Sequence, residues 1–389
     1  MTLKDRKIVI IGAGIGGLAA ALALRLQGAQ VVVLEQAEEI SEVGAGLQIT
    51  PNGVAVLRAL GLADDLAWRA PRSHGVVLRK HSDGREVVRL DFEQYAPDQP
   101  YYYVHRSDLI DLLANAVRAA GVQIRLLQKV QSVQAGPAPR VELVNGASCQ
   151  GDLIIGADGL HSKTRIALNG ADKPRFTGQT AWRTIVPNTV GLGRETQLFM
   201  GPGRHLVAYP LRDESVVNLV AVQEQKSWVD EGWWLEDDPE NLRAAFNGFG
   251  GMAGELLAQV EKVGYWGLFR HPVAAHWHQE NVAILGDAAH PTLPFMAQGA
   301  NLALEDAWVL SQALASEDKI SDACARYQAL RQSRAQKVVS AANKNAWKFH
   351  LRGPVAQAAH MALKLSGQMA PEKLVRQFDW IYRHDVTAG

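Results

Sequence analysis

The sequence predicts an α/β protein: a Rossmann-like domain, an antiparallel β-sheet domain inserted into it, and a helical C-terminal segment. Three observations carry this. A β-branched run, a glycine-rich turn and an Ala/Leu-rich stretch open the chain as strand, turn and helix. Aromatic residues and alternating segments concentrate between about 175 and 275, the pattern of an antiparallel sheet. From Ala300 to about Gly367 the periodicity is helical.

The first unit is completed within its opening residues. Lys7-Ile8-Val9-Ile10-Ile11 suits a buried parallel strand. Gly12-Ala13-Gly14-Ile15-Gly16-Gly17 follows, then a helix over Leu18–Gln27 that stops at Gly28. Val31-Val32-Val33-Leu34-Glu35 reads as the second strand. Ile8 to Leu24 carries no charge and follows Lys4-Asp5-Arg6-Lys7, which imitates a signal peptide. Its glycines fit a strand and turn instead, so a soluble, cytoplasmic protein without a membrane partner is expected.

Further along, Pro51–Leu60 reads as a helix with proline in its first turn. Residues 76–92 alternate around Ser82-Asp83-Gly84, a hairpin signal. Ser107–Ala120 is expected as a helix capped by Ser107. Asp152–Ile155 and Asn281–Leu285 are short buried strands, ending in Gly156-Ala157-Asp158-Gly159 and Gly286-Asp287. The expected partition is a discontinuous first domain (1–75, 104–175, 276–340), a second domain (76–103, 176–275) and a C-terminal segment (341–389).

Composition narrows the function. The 389 residues are 47% hydrophobic and carry 40 basic against 40 acidic side chains, so there is no electrostatic footprint for nucleic acid. The two cysteines, Cys149 and Cys324, lack the spacing of a zinc site and make a disulfide framework a poor reading. No metal is expected.

The motifs point to a dinucleotide. Gly12-x-Gly14-x-x-Gly17 between strand and helix lets a pyrophosphate approach the backbone at a helix N-terminus. Glu35, 23 residues after Gly12, is placed to accept from a ribose hydroxyl. This motif does not separate FAD from NAD. Asp158 lies at the carboxyl edge of a strand, where ligands bind in α/β sheets, although a turn cap explains it equally well. Asp287 ends another strand and suits a cofactor hydroxyl. The helix beginning near Gly299, Ala300 and Asn301 offers free N–H groups and a positive dipole end to a reduced flavin. His290 reads as structural.

In this order the three motifs resemble the single-component, FAD-dependent aromatic hydroxylases related to p-hydroxybenzoate hydroxylase. Val43-Gly44-Ala45-Gly46-Leu47-Gln48, Val104-His105-Arg106-Ser107-Asp108-Leu109, Ala181-Trp182-Arg183 and Phe378-Asp379-Trp380-Ile381-Tyr382 narrow the likeness to the salicylate, 3-hydroxybenzoate and 6-hydroxynicotinate branch. The likeness runs over nearly the whole chain. It implies bound FAD, NADH or NADPH as a transient electron donor, O2, and a small phenolic aromatic acid, hydroxylated by a flavin C4a-hydroperoxide in a monomer or homodimer. Hydroxylation of a larger natural product or quinone precursor is the alternative, and a non-catalytic flavin-binding redox sensor is the alternative of another class.

Residue by residue, the resemblance implies that Gly12, Gly14, Ile15 and Gly17 hold the pyrophosphate, with Glu35 and Gln36 beside the adenosine ribose. It places Arg106 on the phosphate and ribityl region, Val130 against adenine, Asp287 on the ribityl chain and Asp158 near both FAD and NAD(P)H. Gln48, Pro294 and Gln298 are expected to line the substrate pocket. On the segment His205–Pro210, His205 and Tyr209 share one face of a strand, roughly 13 Å apart. The pair resembles one that contacts the ring hydroxyl in 3-hydroxybenzoate- and hydroxynicotinate-type enzymes, with His205 as base and Tyr209 orienting the phenol or holding its carboxylate. A half-buried histidine and a core tyrosine would look the same. Arg183 and Arg204 are candidates for a substrate carboxylate.

Overall fold

The computed structural model describes residues 3–40, 45–227 and 235–388. Val43 and Gly44 of the glycine motif, and Trp228, Trp233 and Trp234, lie outside the described residues. Lys7–Ile11 is flanked in parallel by Gln30–Leu34 and Leu153–Gly156. Gln123–Arg125 extends one edge in parallel, Val282–Ile284 the other, and the short strand His278–Gln279 closes that edge antiparallel. Because both faces are covered, the central strands are largely apolar, with Ile8 to Ile11 and Leu153 to Ile155 buried, whereas the edge strands Gln123–Arg125 and His278–Gln279 are polar.

Helix Ile15–Leu26 packs on this sheet and against helices Arg106–Ala119 and Gly299–Ser316. Its small residues Ala19, Ala20, Ala21 and Ala23 are buried and let the three helices approach closely. The helix starts three residues earlier than its composition predicts. Arg106–Ala119 is capped by His105, whose ring nitrogen accepts from Ser107 N at 3.3 Å, rather than by Ser107 itself.

The second sheet has eight strands in the order Leu235–Asp237, Val263–Arg270, Arg175–Pro187, Val216–Glu224, Arg204–Leu211, Glu195–Gly201, Gly75–Lys80, Glu86–Asp91. All neighbours are antiparallel except Glu195–Gly201 with Gly75–Lys80. Alternation gives it two faces. Trp182, Phe199, Leu206, Ala208, Leu219 and Ala221 form one core with helices Pro239–Ala245 and Met252–Ala258. The opposite face, carrying His205, Val207, Tyr209, Arg183, Val220 and Val222, looks toward the first sheet.

Helices Ile320–Phe349 and Gly353–Met369 follow. The first of these runs without a break through the 340/341 boundary expected from sequence. Among the described residues, no helix is long and apolar enough to cross a membrane.

Candidate active site

A cavity of about 1230 Å³ lies between the carboxyl ends of the parallel strands and the open face of the large sheet. Its first end is formed by Gly12, Gly14, Ile15, Glu35, Gln36 and Val130. The three motif glycines are glycine for different reasons. Gly12 has φ +102°, and a Cβ there would collide with the carbonyl of Ala157. A Cβ on Gly17 would collide with the carbonyl of Gly12, so Gly17 serves packing and stands outside the cavity lining. Gly14 has an ordinary φ of −75° and no atom within 4 Å of where its Cβ would stand. Nothing in the protein requires glycine there; a ligand drawn onto the backbone would.

The surroundings suit an anion. Gly14 begins helix Ile15–Leu26, which has no side-chain cap and no acidic residue in its first turn. Its free N–H groups and dipole face the cavity. Glu35 stands beside them, one oxygen accepting from Ala13 N at 2.8 Å and the other from Ala37 N at 2.9 Å. Its remaining lone pairs can take ribose hydroxyls.

Midway, Arg106, Asp158, Asp287, Gly299 and Ala300 border the cavity. Asp287 sits in the turn Gly286–Ala288. Its side chain is open to the cavity; desolvation by the surrounding protein raises its carboxyl above the usual range, opposed by His290 and Arg106, and no described side chain hydrogen-bonds it. A hydroxylated chain would complete it. Asp158 is already occupied: it accepts from Ser162 Oγ at 2.5 Å, Thr164 N at 3.1 Å and Thr164 Oγ1 at 3.2 Å, and so caps its own turn. Asn301 holds protein to protein. Its Oδ1 accepts from Thr50 N at 3.0 Å, and its Nδ2 donates to Gln48 O at 3.0 Å and Ala297 O at 2.5 Å. Of the three residues expected at this helix start, only Gly299 and Ala300 line the cavity.

Gln298 is also tied into the protein. It borders the cavity, but its carboxamide donates to Thr50 Oγ1 and accepts from Asn52 Nδ2, both at 3.0 Å. Asn52 in turn donates to Glu305 at 2.5 Å. Below this network Arg331 bridges Glu305 and Asp306, and Asp306 also binds His290. His290 is therefore part of the scaffold, as its sequence context suggests.

The far end holds His205, Tyr209, Gln48, Pro294 and Arg183. His205 and Tyr209 project from the same face of Arg204–Leu211, as period-two alternation requires. His205 is 2% exposed and packed edge-on against Phe295 and Phe349. Burial, then His350, lowers its pKa well below 6.5, so its ring is neutral at pH 7. Tyr209 stacks on Tyr103 at 5.2 Å, and burial raises its hydroxyl pKa, keeping it a donor. Gln48 accepts from Tyr101 Oη.

The two arginines separate cleanly. Arg204 lies on the opposite face, over the Phe246 ring. Arg183 pairs with Val220 and Val220 with Val207, which places it about 10 Å from Val207 across two strand spacings on the cavity face. It is half-buried, and its Nε is buried without a hydrogen-bond partner. Residues missed by the sequence reading include Tyr101, Trp266, Phe295 and His350. Alternation in Tyr101-Tyr102-Tyr103 could have signalled the first; the others depend on contacts distant in sequence.

The uncapped helix, the space at Gly14 and the open carboxylate of Asp287 fit FAD. Over residues 5–342 the chain matches the FAD binding domain family. It is 33% identical to the 3-amino-4-hydroxybenzoate 2-monooxygenase of Streptomyces platensis, over 98% of this chain and 96% of that one. It is 32% identical to the 3-hydroxybenzoate 6-hydroxylase of Klebsiella oxytoca, over 97% of each. Among solved structures, a variant of Klebsiella pneumoniae HpxO complexed with FAD is similar at a TM-score of 0.85 and 25% identity, covering 97% of this chain and 99% of that one.

Proposed function

The chain belongs to the FAD-dependent aromatic-ring monooxygenases, and from that premise we propose that it hydroxylates a small phenolic aromatic acid of the 3-hydroxybenzoate, hydroxynicotinate or salicylate type. The observation carrying this reading is that one sheet face presents a neutral imidazole, His205, and an arginine with a buried, unpartnered Nε, Arg183, to the same cavity. A ring with its hydroxyl meta or para to its carboxylate satisfies both, which favours the 3-hydroxybenzoate and hydroxynicotinate types over salicylate, whose two groups are adjacent. FAD, when bound, supplies the transfer of electrons from NAD(P)H to O2 and the electrophilic oxygen that the ring receives.

The side chains prepare the ring for that attack. His205 takes the phenol proton, which raises electron density ortho and para to the oxygen. Tyr209 orients the phenol as a donor. Arg183 holds the carboxylate, and its guanidinium suits that fork. Pro294 and Gln48 border the ring site, with Val207, Val220, Val222 and Phe295 supplying an apolar wall that keeps water out. The same reading carries a cytoplasmic enzyme acting as a monomer or homodimer.

The test is oxidation of NADH and NADPH by the purified flavoprotein against hydroxylated benzoates and nicotinates, with product identified by mass and peroxide counted. A compound that stimulates oxidation and gains one oxygen is the expected result. Silence across all such acids, with turnover of a larger phenol, would overturn the choice of substrate.

A further inference from the structure

His205 is not an isolated base. Its Nδ1 lies 2.7 Å from Nε2 of His350, and His350 Nδ1 lies 3.2 Å from Oε1 of Glu224. The line reaches solvent at Glu224: the side chain of His350 is 1% exposed and that of Glu224 43%. Arg352 donates to the other oxygen of Glu224 at 2.6 Å. The backbone fixes the path. Gly203 N donates to His350 O at 3.1 Å, and Glu224 N donates to Gly203 O at 2.9 Å.

The exposed carboxylate also sets the direction of every hydrogen bond. An ionised Glu224 can only accept, so His350 carries its proton on Nδ1. His350 Nε2 is then an acceptor, and His205 must donate to it from Nδ1. This leaves Nε2 of His205 without a proton, as a base requires.

We propose that His205, His350 and Glu224 form a relay carrying the substrate hydroxyl proton from the buried end of the cavity to solvent, with His350 and Glu224 as positioning residues acting through His205. The substrate O–H bond breaks as His205 Nε2 gains the proton, and His205 Nδ1 releases its own to His350 Nε2. His350 Nδ1 releases the next to Glu224, from which it passes to water. One proton leaves the substrate, one reaches solvent, and no electrons move. His350 follows the last residue of helix Ile320–Phe349, whose negative dipole end favours the transient imidazolium. The groups facing His350 are Glu224, Arg352 and Arg204, and the titratable group facing His205 is His350.

The relay rests on the reading that His205 meets the substrate hydroxyl, and the experiment separates the two. Oxidised FAD holoenzyme is mixed rapidly with 3-hydroxybenzoate in weak buffer, following phenolate absorbance and, with a pH indicator, proton release. The variants are Glu224→Gln, His350→Gln and His205→Gln. The expected result is that Glu224→Gln and His350→Gln keep FAD and bind the ligand, yet slow both signals together by about tenfold or more. Added imidazole should restore the rate in His350→Ala, which a purely structural role would not allow. Wild-type rates in Glu224→Gln and His350→Gln, with only His205→Gln slow, would overturn the relay and leave the base standing. A wild-type rate in His205→Gln would overturn the base assignment and the relay with it.

Discussion

The guanidinium carbon of Arg183 lies 5.1 Å from the centroid of the Trp266 ring, on the cavity face of the large sheet. No described carboxylate pairs with this arginine, and burial lowers its pKa. A cation kept in this state gains from an aromatic face but lacks a counter-charge, which a substrate carboxylate would supply. Arg183→Met should therefore raise KM for an aromatic acid by about thirtyfold or more, in line with the loss of one partner of a buried charge pair. The uptake of a neutral phenol should be little affected, and the ligand-free melting temperature should hold or rise because an unpaired buried charge has gone. Steady-state kinetics on matched acid and neutral phenols, with a thermal melt, check this. Equal losses on both substrates would sink the assignment.

Gly14 and Gly17 separate binding from folding. Gly14→Ala meets no protein atom, so the apoprotein should keep its melting temperature while FAD affinity falls. Gly17→Ala would drive a methyl into the carbonyl of Gly12 and should fail to yield folded protein. Asp287→Ala should also release FAD, since it removes the open carboxylate beside Arg106. Flavin absorbance per mole of purified protein is the measurement; full flavin content in Asp287→Ala would show that the ribityl chain lies elsewhere.

The neutrality of His205 has a sign in pH. Burial and His350 depress its pKa below 6.5, so protonation is resisted until the solution is well below that value. The kcat/KM profile should stay flat as pH falls through 6.5 and decline only in more acid solution. Stability follows the same window: this contribution is complete above pH 6.5 and is lost as pH falls toward the depressed value. His205→Ala should lose hydroxylation by about a hundredfold or more while retaining FAD. An acid limb centred at or above pH 6.5 would contradict the buried, neutral base.

Arg331 lies between Glu305 and Asp306 under the helix that starts at Gly299. Burial alone would raise the Asp306 carboxyl, but His290 and Arg331 outweigh it and hold it down at about 2. Arg331→Met leaves both carboxylates buried with fewer partners and should cost about 3–5 kcal/mol. Urea denaturation of the holoenzyme reads the change; a loss below about 1 kcal/mol would mean the cluster relaxes into water.

What the sequence made legible was what is local. The strand, turn and helix at Lys7–Leu26 announce themselves within twenty residues, because the glycine positions and the apolar periods are contiguous. His205 and Tyr209 were readable as a pair because a strand has period two. The roles of Gln298 and Asn301 were not, since their partners Thr50 and Asn52 are some 250 positions away. A separation of 145 positions likewise hid His350 behind His205. Arg183 and Arg204 look alike in sequence, and only strand register turns one to the cavity and the other away.

The two faces of the large sheet have a consequence for how such an enzyme can be retuned. Trp182, Phe199, Leu206 and Leu219 hold the sheet to its own pair of helices, while 183, 205, 207, 209, 220 and 222 face the cavity. Neighbouring positions in the chain thus answer to different demands. A mutational library confined to the cavity-facing set explores substrate choice on a platform whose integrity is guaranteed from behind. One confined to the intervening positions would mostly sample collapse.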